Sequence, residues 1–115
     1  MALTDPRNAE ILVHVDGHLV TRENAKVSVF DSVVQGGDAV WEGLRIYAGR
    51  LAEFDAHLDR LMASATALAF EGIPSRDTVR KAVFETLVAN GIRDGAHILL
   101  TLTRGEKVTS GMNPR

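Results

Sequence analysis

Five segments of the chain carry apolar and β-branched residues in the pattern that is typical of β-strands. Asp16-Gly17 and Ala48-Gly49 each separate two of these segments. Because glycine accepts the positive φ of a tight reversal, each pair predicts a hairpin. Residues 35–38, Gln-Gly-Gly-Asp, predict a flexible bend. The predicted strands cover residues 11–16, 18–20, 39–47, 51–54 and 96–103.

Between the fourth and fifth predicted strands, apolar residues recur at steps of three and four, the period of an amphipathic helix. Asp55 is an acceptable N-cap for the first helix, and Gly72 suits a left-handed cap at its end. A second helix begins at Pro74-Ser75 and ends at Asn90-Gly91. The order β-β-β-β-α-α-β predicts an α+β fold, an antiparallel sheet of hairpins packed on two helices.

Length and composition limit the classes to which the protein can belong. Its 115 residues fit one domain, and a net charge of −2 argues against non-specific binding to nucleic acid or anionic membranes. The absence of cysteine excludes disulfides, thiolate metal sites and cysteine nucleophiles. No apolar run approaches the ~20 residues that span a bilayer, and residues 1–10 predict a flexible polar lead-in, not a secretory signal. We therefore expect a cytoplasmic protein.

The segment Glu42-Gly43-Leu44-Arg45 carries the first candidate chemistry. Because side chains alternate along a strand, Glu42 and Leu44 share one face, whereas Gly43 and Arg45 share the other. Glycine weakens the interior of a strand unless a ligand or another backbone has to come close. These residues alone leave two interpretations open: a ligand beside Gly43, or a kink with an exposed arginine.

His57, Arg60 and Ser64 are three and four residues apart, so they share one face of the first helix. An arginine and a histidine there could bind a polyanion, since the planar guanidinium donates two hydrogen bonds at once and keeps its charge. The alternative is a solvated face on which Asp59 and Arg60 are surface charges, and the spacing alone favours that alternative.

Other kinds of site lack their sequence signals. The four histidines form no pair with the spacing of metal ligands, and no serine lies in a Gly-x-Ser-x-Gly motif. Residues 35–38 lack the full glycine fingerprint of a phosphate loop. We therefore predict no metal site and no serine nucleophile.

Seven short motifs occur in one order across residues 11–114, and each is weak by itself. They are Asp16-Gly17, Ala25-Lys26-Val27, Phe30-Asp31, Gly37-Asp38, Val40-Trp41-Glu42-Gly43-Leu44-Arg45, His57-Leu58-Asp59-Arg60-Leu61 with Ser64, and Thr103-Arg104-Gly105. As an ordered set they resemble the small N-terminal domain of the fold-type IV, pyridoxal-phosphate-dependent aminotransferases, the class IV group. That group contains branched-chain and D-amino-acid aminotransferases and 4-amino-4-deoxychorismate lyase.

The resemblance implies roles for three residues of the strand and the helix. Arg60, in the motif His-x-x-Arg-Leu, would bind the phosphate of pyridoxal 5'-phosphate. Trp41 would be an aromatic wall of the substrate pocket, and Gly43 would let the substrate approach the backbone. The sequence Glu-Gly-Leu-Arg is closest to the branched-chain members. It implies amino transfer between a branched-chain-like amino acid and a 2-oxo acid.

The resemblance also implies further substrate contacts. Arg45 or Arg104 would hold the substrate carboxylate, and Arg104 with its following glycine is similar to the D-amino-acid and lyase branches. The tail around Met112 is similar to a branched-chain loop that reaches the neighbouring subunit's pocket in a homodimer. Branched-chain enzymes commonly have a tyrosine at the position of Gly36 and an arginine at that of Leu99, so the substrate stays open.

None of the three lysines, Lys26, Lys81 and Lys107, matches the catalytic motif of the family. In the family, the Schiff-base lysine lies in the C-terminal domain, after the point at which this sequence stops. We therefore expect residues 11–115 to be the small domain of a longer enzyme, incomplete at its C-terminus and inactive alone.

Two alternatives stay open at this point. The first is a D-amino-acid aminotransferase or a 4-amino-4-deoxychorismate lyase on the same fold. The second belongs to another class, a non-catalytic fragment that associates with itself, and the exposed strand predicted over residues 96–103 favours it.

Overall fold

The computed structural model describes residues 6–106, apart from the side chain of Arg7. The described part of the chain contains five strands, three α-helices and two 3-10 turns. The strands are β1 (Leu12–Val15), β2 (His18–Thr21), β3 (Ala39–Tyr47), β4 (Arg50–Leu51) and β5 (Ala96–Thr103). The helices are α1 (Ser32–Gly36), α2 (Phe54–Ala67) and α3 (Arg76–Ala89), and the turns are Pro6–Asn8 and Arg22–Asn24.

The strands form two antiparallel sheets. β1 and β2 make a hairpin, and the second sheet has the order β4-β3-β5. Both hairpin turns have positive φ at two successive residues, 48° and 86° at Asp16-Gly17 and 47° and 79° at Ala48-Gly49, as a type I′ turn requires. The α+β prediction is confirmed. The strand predicted over residues 51–54 is wrong beyond Leu51, because α2 already begins at Phe54.

β3 separates the interior of the molecule from an open face. Its residues alternate strictly, with Val40, Leu44 and Ile46 buried and Trp41 and Tyr47 exposed. The buried face packs against α2, and the core is completed by α3. Each buried side chain of this size contributes about 1.5–3 kcal/mol to the free energy of unfolding. The remaining core residues are Phe54, Leu58, Leu61, Ala65, Phe70, Val79, Val83 and Leu87.

For α2, the first of the two predicted helices, the predicted boundaries are wrong at both ends. The N-cap is Glu53, with φ 51° and no side-chain hydrogen bond, whereas Asp55 lies in the first turn and pairs with Arg80 of α3 at 2.7 Å. At the other end, Ala69 with φ 57° takes the left-handed position that was predicted for Gly72. The hydrogen bonds Ala69 N to Thr66 O (2.9 Å) and Phe70 N to Ala65 O (3.0 Å) complete a Schellman motif.

α3, which is the second of the two predicted helices, begins and ends where its sequence signals predict. The hydroxyl of Ser75 accepts a hydrogen bond from the backbone N–H of Thr78 at 3.1 Å, which is an N-cap. After the last helical residue, the side-chain amide of Asn90 accepts from Leu12 N at 2.7 Å and donates to Leu12 O at 2.8 Å. This amide therefore attaches the β1–β2 hairpin to the end of α3.

The bend predicted over residues 35–38 contains the end of a helix that the sequence did not reveal. α1 is capped by Asp31, whose carboxylate accepts from Val33 N at 3.0 Å, and Gly37 ends it at φ 69°. Ser32 N donates to Gly105 O at 2.9 Å, so α1 is fixed to the end of β5. A five-residue helix is too short to show a hydrophobic period, which explains the failed prediction.

Within residues 6–106, no helix combines the length and the apolar character that crossing a membrane requires.

Replacing Ala69 by glycine is expected to stabilise the intact protein that carries this chain. An L-residue with a side chain is strained at φ 57°, and glycine is not, so we expect a gain of about 0.5–1 kcal/mol in the free energy of unfolding. The matched control is Ala63→Gly, at an exposed position inside α2, which should cost about 0.5–1 kcal/mol. Denaturant unfolding measures both, and a loss of stability in both variants would contradict the assigned helix end.

Candidate functional site

A buried carboxylate lies at the centre of the candidate site. Glu42 is on the face of β3 that packs against α2, and its side chain is 5% exposed. Its Oε1 accepts hydrogen bonds from His57 Nδ1 and Arg60 Nη2, both at 2.7 Å. Arg60 Nε lies 3.0 Å from each of the two carboxylate oxygens. One strand residue thus binds two helix residues side by side.

The periods of the two elements explain this arrangement. Glu42 follows Val40 and precedes Leu44 on the buried face of β3, so its carboxylate is surrounded by apolar neighbours along the strand. An unpaired charge in such a place is costly, and the partners have to come from the helix that covers it. A spacing of three residues places His57 and Arg60 on the same side of α2, where both reach the carboxylate.

The position of the ring hydrogen of His57 follows from its partner. An ionised carboxylate only accepts hydrogen bonds, so the hydrogen between His57 and Glu42 belongs to the histidine. The contact is made by Nδ1 at 2.7 Å, and Nδ1 is therefore the protonated nitrogen. Arg60 Nη2 lies 3.3 Å from the same nitrogen, and since both atoms carry hydrogens, this approach is a contact and not a hydrogen bond.

The hydrogen bonds between Glu42 and Arg60 stabilise the charged forms of both side chains. The hydrogen bonds from Arg60 lower the pKa of the Glu42 carboxyl below 4.5, and this outweighs the burial, which acts in the opposite direction. The hydrogen bond from His57 lowers that pKa further. Glu42 in turn raises the pKa of Arg60. At neutral pH the site therefore contains an ionised carboxylate and a guanidinium cation in direct contact.

Arg60 also presents hydrogen-bond donors to the solvent. Its side chain is 66% exposed although one edge of the guanidinium is bound by Glu42. Nη1 makes no hydrogen bond to any residue between 6 and 106. A fixed, exposed guanidinium with free N–H groups is a suitable ligand for a phosphate, which it can bind through two oxygens. The donor set therefore fits the phosphate of a bound cofactor.

Trp41, Gly43 and Arg45 lie together on the opposite, open face of β3. Trp41 is 64% exposed, and a Cβ added to Gly43 would meet only the Trp41 ring, at 3.7 Å. The Arg45 guanidinium lies 5.4 Å from the centroid of the Tyr47 ring. β3 pairs with β5 without interruption through Gly43, and Arg45 is exposed. The structure thus groups the three predicted substrate-side residues and separates them from Arg60.

Arg104 lies on the helix side of the sheet and is held by the protein itself. Its side chain is 9% exposed and pairs with Asp38. The guanidinium also donates to the backbone oxygens of Leu68 and Ala69 and stacks on Phe70, 4.5 Å from the ring centroid. In this conformation Arg104 binds the carbonyls of Leu68 and Ala69, just after the end of α2, and does not face the same side as Trp41.

The remaining predicted residues fall into two groups. Met112 and Lys107 lie outside the described residues, and Lys26 and Lys81 are exposed. The hydroxyl of Ser64 makes no hydrogen bond to the part of the chain that the structure describes. Between residues 6 and 106, no three histidine, aspartate or glutamate side chains come close enough together to hold a metal ion.

The sequence did not reveal Glu42 as the partner of Arg60. It suggested Asp59 and Arg60 as two surface charges, but Asp59 pairs with Arg76 of α3. One signal could have revealed the true partner. Glu42 is the only charged residue on a strand face that is otherwise Val, Leu and Ile, and such a residue requires a cation on the helix packed above it.

The stability of the protein should reflect the lowered pKa of Glu42. A carboxyl whose pKa is lower in the folded than in the unfolded state stabilises the fold above its unfolded pKa, and this contribution disappears as pH falls through the folded value. Glu42→Gln, which resembles the protonated state, should therefore be less stable than wild type at pH 7. The difference should shrink below pH 4.5. Urea unfolding at a series of pH values measures it, and a difference that does not change with pH would contradict the pairing.

Comparison with known proteins gives a consistent result. Residues 39–114 match the family described as amino-transferase class IV. The chain is 58% identical over 113 residues to the branched-chain-amino-acid aminotransferase-like protein 1 of Arabidopsis thaliana, covering 98% of this chain and 20% of the relative. It is 39% identical over 103 residues to a putative branched-chain-amino-acid aminotransferase of Methanocaldococcus jannaschii, with 90% and 35% coverage. A D-alanine aminotransferase of Listeria monocytogenes is 38% identical over 103 residues, with 90% and 34% coverage.

Solved structures show the same relationship. The branched-chain amino acid aminotransferase of Thermoproteus uzoniensis with norvaline superposes with a TM-score of 0.75 at 28% identity, covering 87% of this chain and 35% of that one. The Escherichia coli branched-chain enzyme gives 0.77 at 29% identity, also with 87% and 35% coverage. The chain thus spans between about one fifth and about one third of the length of these proteins. By its sequence match and its fold, the chain belongs to the class IV aminotransferase family.

Proposed function

We propose that residues 11–115 form the small domain of a pyridoxal-phosphate-dependent aminotransferase, and that this domain binds the phosphate of the cofactor. The single observation that carries the proposal is the Arg60 guanidinium, which is fixed on one edge by Glu42 and exposed on the other. The family membership of the chain supplies the chemical context. A homodimer in the cytoplasm is part of the same proposal.

The residues of this chain contribute binding and orientation. Arg60 would donate hydrogen bonds from Nη1 and from the outer hydrogen of Nη2 to two phosphate oxygens. When bound, pyridoxal 5'-phosphate supplies the electron sink for bond cleavage at the α-carbon of the amino acid. The amine that moves the proton would come from a C-terminal domain, because none of Lys26, Lys81 and Lys107 matches the catalytic motif and the chain spans only about one fifth to one third of the length of its relatives.

The open face of β3 would contact the substrate. Trp41 would form an aromatic wall, and the space above Gly43 would admit the substrate to the backbone. Arg45 is the better candidate for the substrate carboxylate, since its guanidinium contacts a tyrosine ring and forms no ion pair within residues 6–106. Each of the three guanidinium nitrogens of Arg104, by contrast, already donates a hydrogen bond within the protein. Met112 would reach the partner subunit's pocket as a further apolar wall.

A branched-chain-like amino acid and a 2-oxo acid are the substrates that we propose. The names of the Arabidopsis and Methanocaldococcus relatives support this class. The second candidate, a D-amino acid, is favoured by the Arg104-Gly105 pair and by the Listeria D-alanine aminotransferase, whose identity to the chain is almost as high as that of the Methanocaldococcus relative. The engagement of Arg104 with Asp38 argues against it, because a substrate carboxylate would have to replace that partner.

Arg60→Ala should weaken the binding of pyridoxal 5'-phosphate by about 10- to 100-fold, since hydrogen bonds between charged groups contribute about 1.5–3 kcal/mol. Arg60→Ala also leaves the buried Glu42 carboxylate with His57 as its remaining partner, so the variant should lose stability, and its affinity is compared under conditions in which it is folded. The affinity is measured by cofactor absorbance in the intact protein that carries this chain. Arg76→Ala, which removes another α-helical arginine from the surface, is the matched control and should leave the affinity unchanged. Equal affinities of Arg60→Ala and wild type would contradict the proposal.

The substrate class is tested by supplying the intact protein with 2-oxoglutarate and either L-leucine, L-isoleucine and L-valine, or D-alanine. We expect amino transfer from the branched-chain set, because the open face offers the Trp41 ring for an apolar side chain. Faster transfer from D-alanine would place the protein in the D-amino-acid branch. Pyruvate release from aminodeoxychorismate would identify a lyase. A cofactor-loaded protein with no turnover in these assays would support the non-catalytic alternative.

A further inference from the structure

We infer that Glu42 is a positioning residue for Arg60: it binds the inner edge of the guanidinium and thereby fixes which N–H groups remain for a phosphate. The inference rests on the proposed function, since it takes Arg60 as the phosphate ligand. It adds a residue that contacts neither the cofactor nor the substrate and acts only through the arginine.

Glu42 occupies one of the two edges through which the Arg60 guanidinium can bind oxygen atoms. A guanidinium has five N–H groups in one plane, arranged along two edges that can each bind a pair of oxygens. Glu42 takes the edge formed by Nε and Nη2, at 3.0 and 2.7 Å. The edge formed by Nη1 and the second hydrogen of Nη2 remains, and Nη1 has no partner among residues 6–106. The remaining edge has the geometry that a phosphate accepts.

Glu42 is itself held in place by burial and by a hydrogen bond from His57. The carboxylate is nearly inaccessible to solvent and is held from a second direction by His57 Nδ1 at 2.7 Å. A free arginine side chain loses rotamer entropy when it becomes ordered. Because the pairing with Glu42 itself orders Arg60, less of this entropy has to be lost when a phosphate binds.

The sign of the electrostatic effect makes the inference testable. Glu42 is an anion beside the anion-binding group, so its charge alone repels a phosphate. If Glu42 only neutralised Arg60, its removal would strengthen phosphate binding. If it positions Arg60, its removal weakens phosphate binding despite the loss of repulsion. The two roles therefore predict changes of opposite direction.

The experiment compares the binding of pyridoxal 5'-phosphate and of pyridoxal, which lacks the phosphate, to the intact protein and its variants. Glu42→Gln keeps the shape of the side chain and removes its charge. We expect it to raise the Kd of pyridoxal 5'-phosphate about tenfold and to leave the Kd of pyridoxal within about twofold. In an Arg60→Ala background, Glu42→Gln should have no further effect, because the two residues act as a unit. Asp38→Asn, which breaks the carboxylate–guanidinium pair with Arg104 next to the ends of β3 and β5, is the matched control and should change neither Kd.

Each other outcome rejects a defined statement. If Arg60→Ala keeps full affinity for pyridoxal 5'-phosphate, the proposed function fails. If Arg60→Ala weakens binding but Glu42→Gln does not, or strengthens it, the positioning role is wrong and the proposed function stands. Equal weakening of both ligands would show a merely structural role. Should Glu42→Gln not fold, Glu42→Asp, which keeps the charge but draws the oxygens away from Arg60, is subjected to the same comparison and the same criteria.

Discussion

The architecture of the site depends on one constraint, a carboxylate that is placed among apolar residues and must be neutralised there. Glu42 lies between Val40 and Leu44 on the packed face of β3, and only the helix above can supply its partners. The ion pair with Arg60 therefore does more than stabilise the interface. It fixes the rotation of α2 about its axis, since another rotation would bury the carboxylate without a cation. Packing and site geometry are set by the same contact.

The two faces of β3 have different tasks. One face contributes Val40, Leu44 and Ile46 to the core, whereas the other exposes Trp41 beside Gly43. Arg60, the proposed phosphate ligand, and Trp41, the proposed substrate contact, are consequently on opposite sides of the strand. A ligand that contacts both has to pass over an edge or an end of the sheet. The strict alternation along β3 thus limits how one ligand could contact residues of both faces.

Sequence predicts those features whose cause is local. β3 and β5 have the predicted bounds because their patterns are long, and Ser75 is the predicted cap because its hydroxyl binds its own helix. The predictions for Asp55 and Gly72 failed because tertiary contacts decide both ends of α2: Asp55 pairs across to α3, and burial of Phe70 favours the end at Ala69. The family was recognisable from ordered motifs. The partner of Arg60 was not, because its choice depends on how the helix lies on the sheet.

The attachment of the β1–β2 hairpin has a consequence for how the domain can vary. The outer N–H and C=O groups of a strand are normally hydrogen-bonded by a neighbouring strand. At Leu12, the side-chain amide of Asn90 makes both of these hydrogen bonds instead. The hairpin is thereby hydrogen-bonded to the end of α3 and does not pair with the β4-β3-β5 sheet. The length and twist of this hairpin can therefore change without altering the strand pairing of the β4-β3-β5 sheet, provided that an amide side chain remains at position 90.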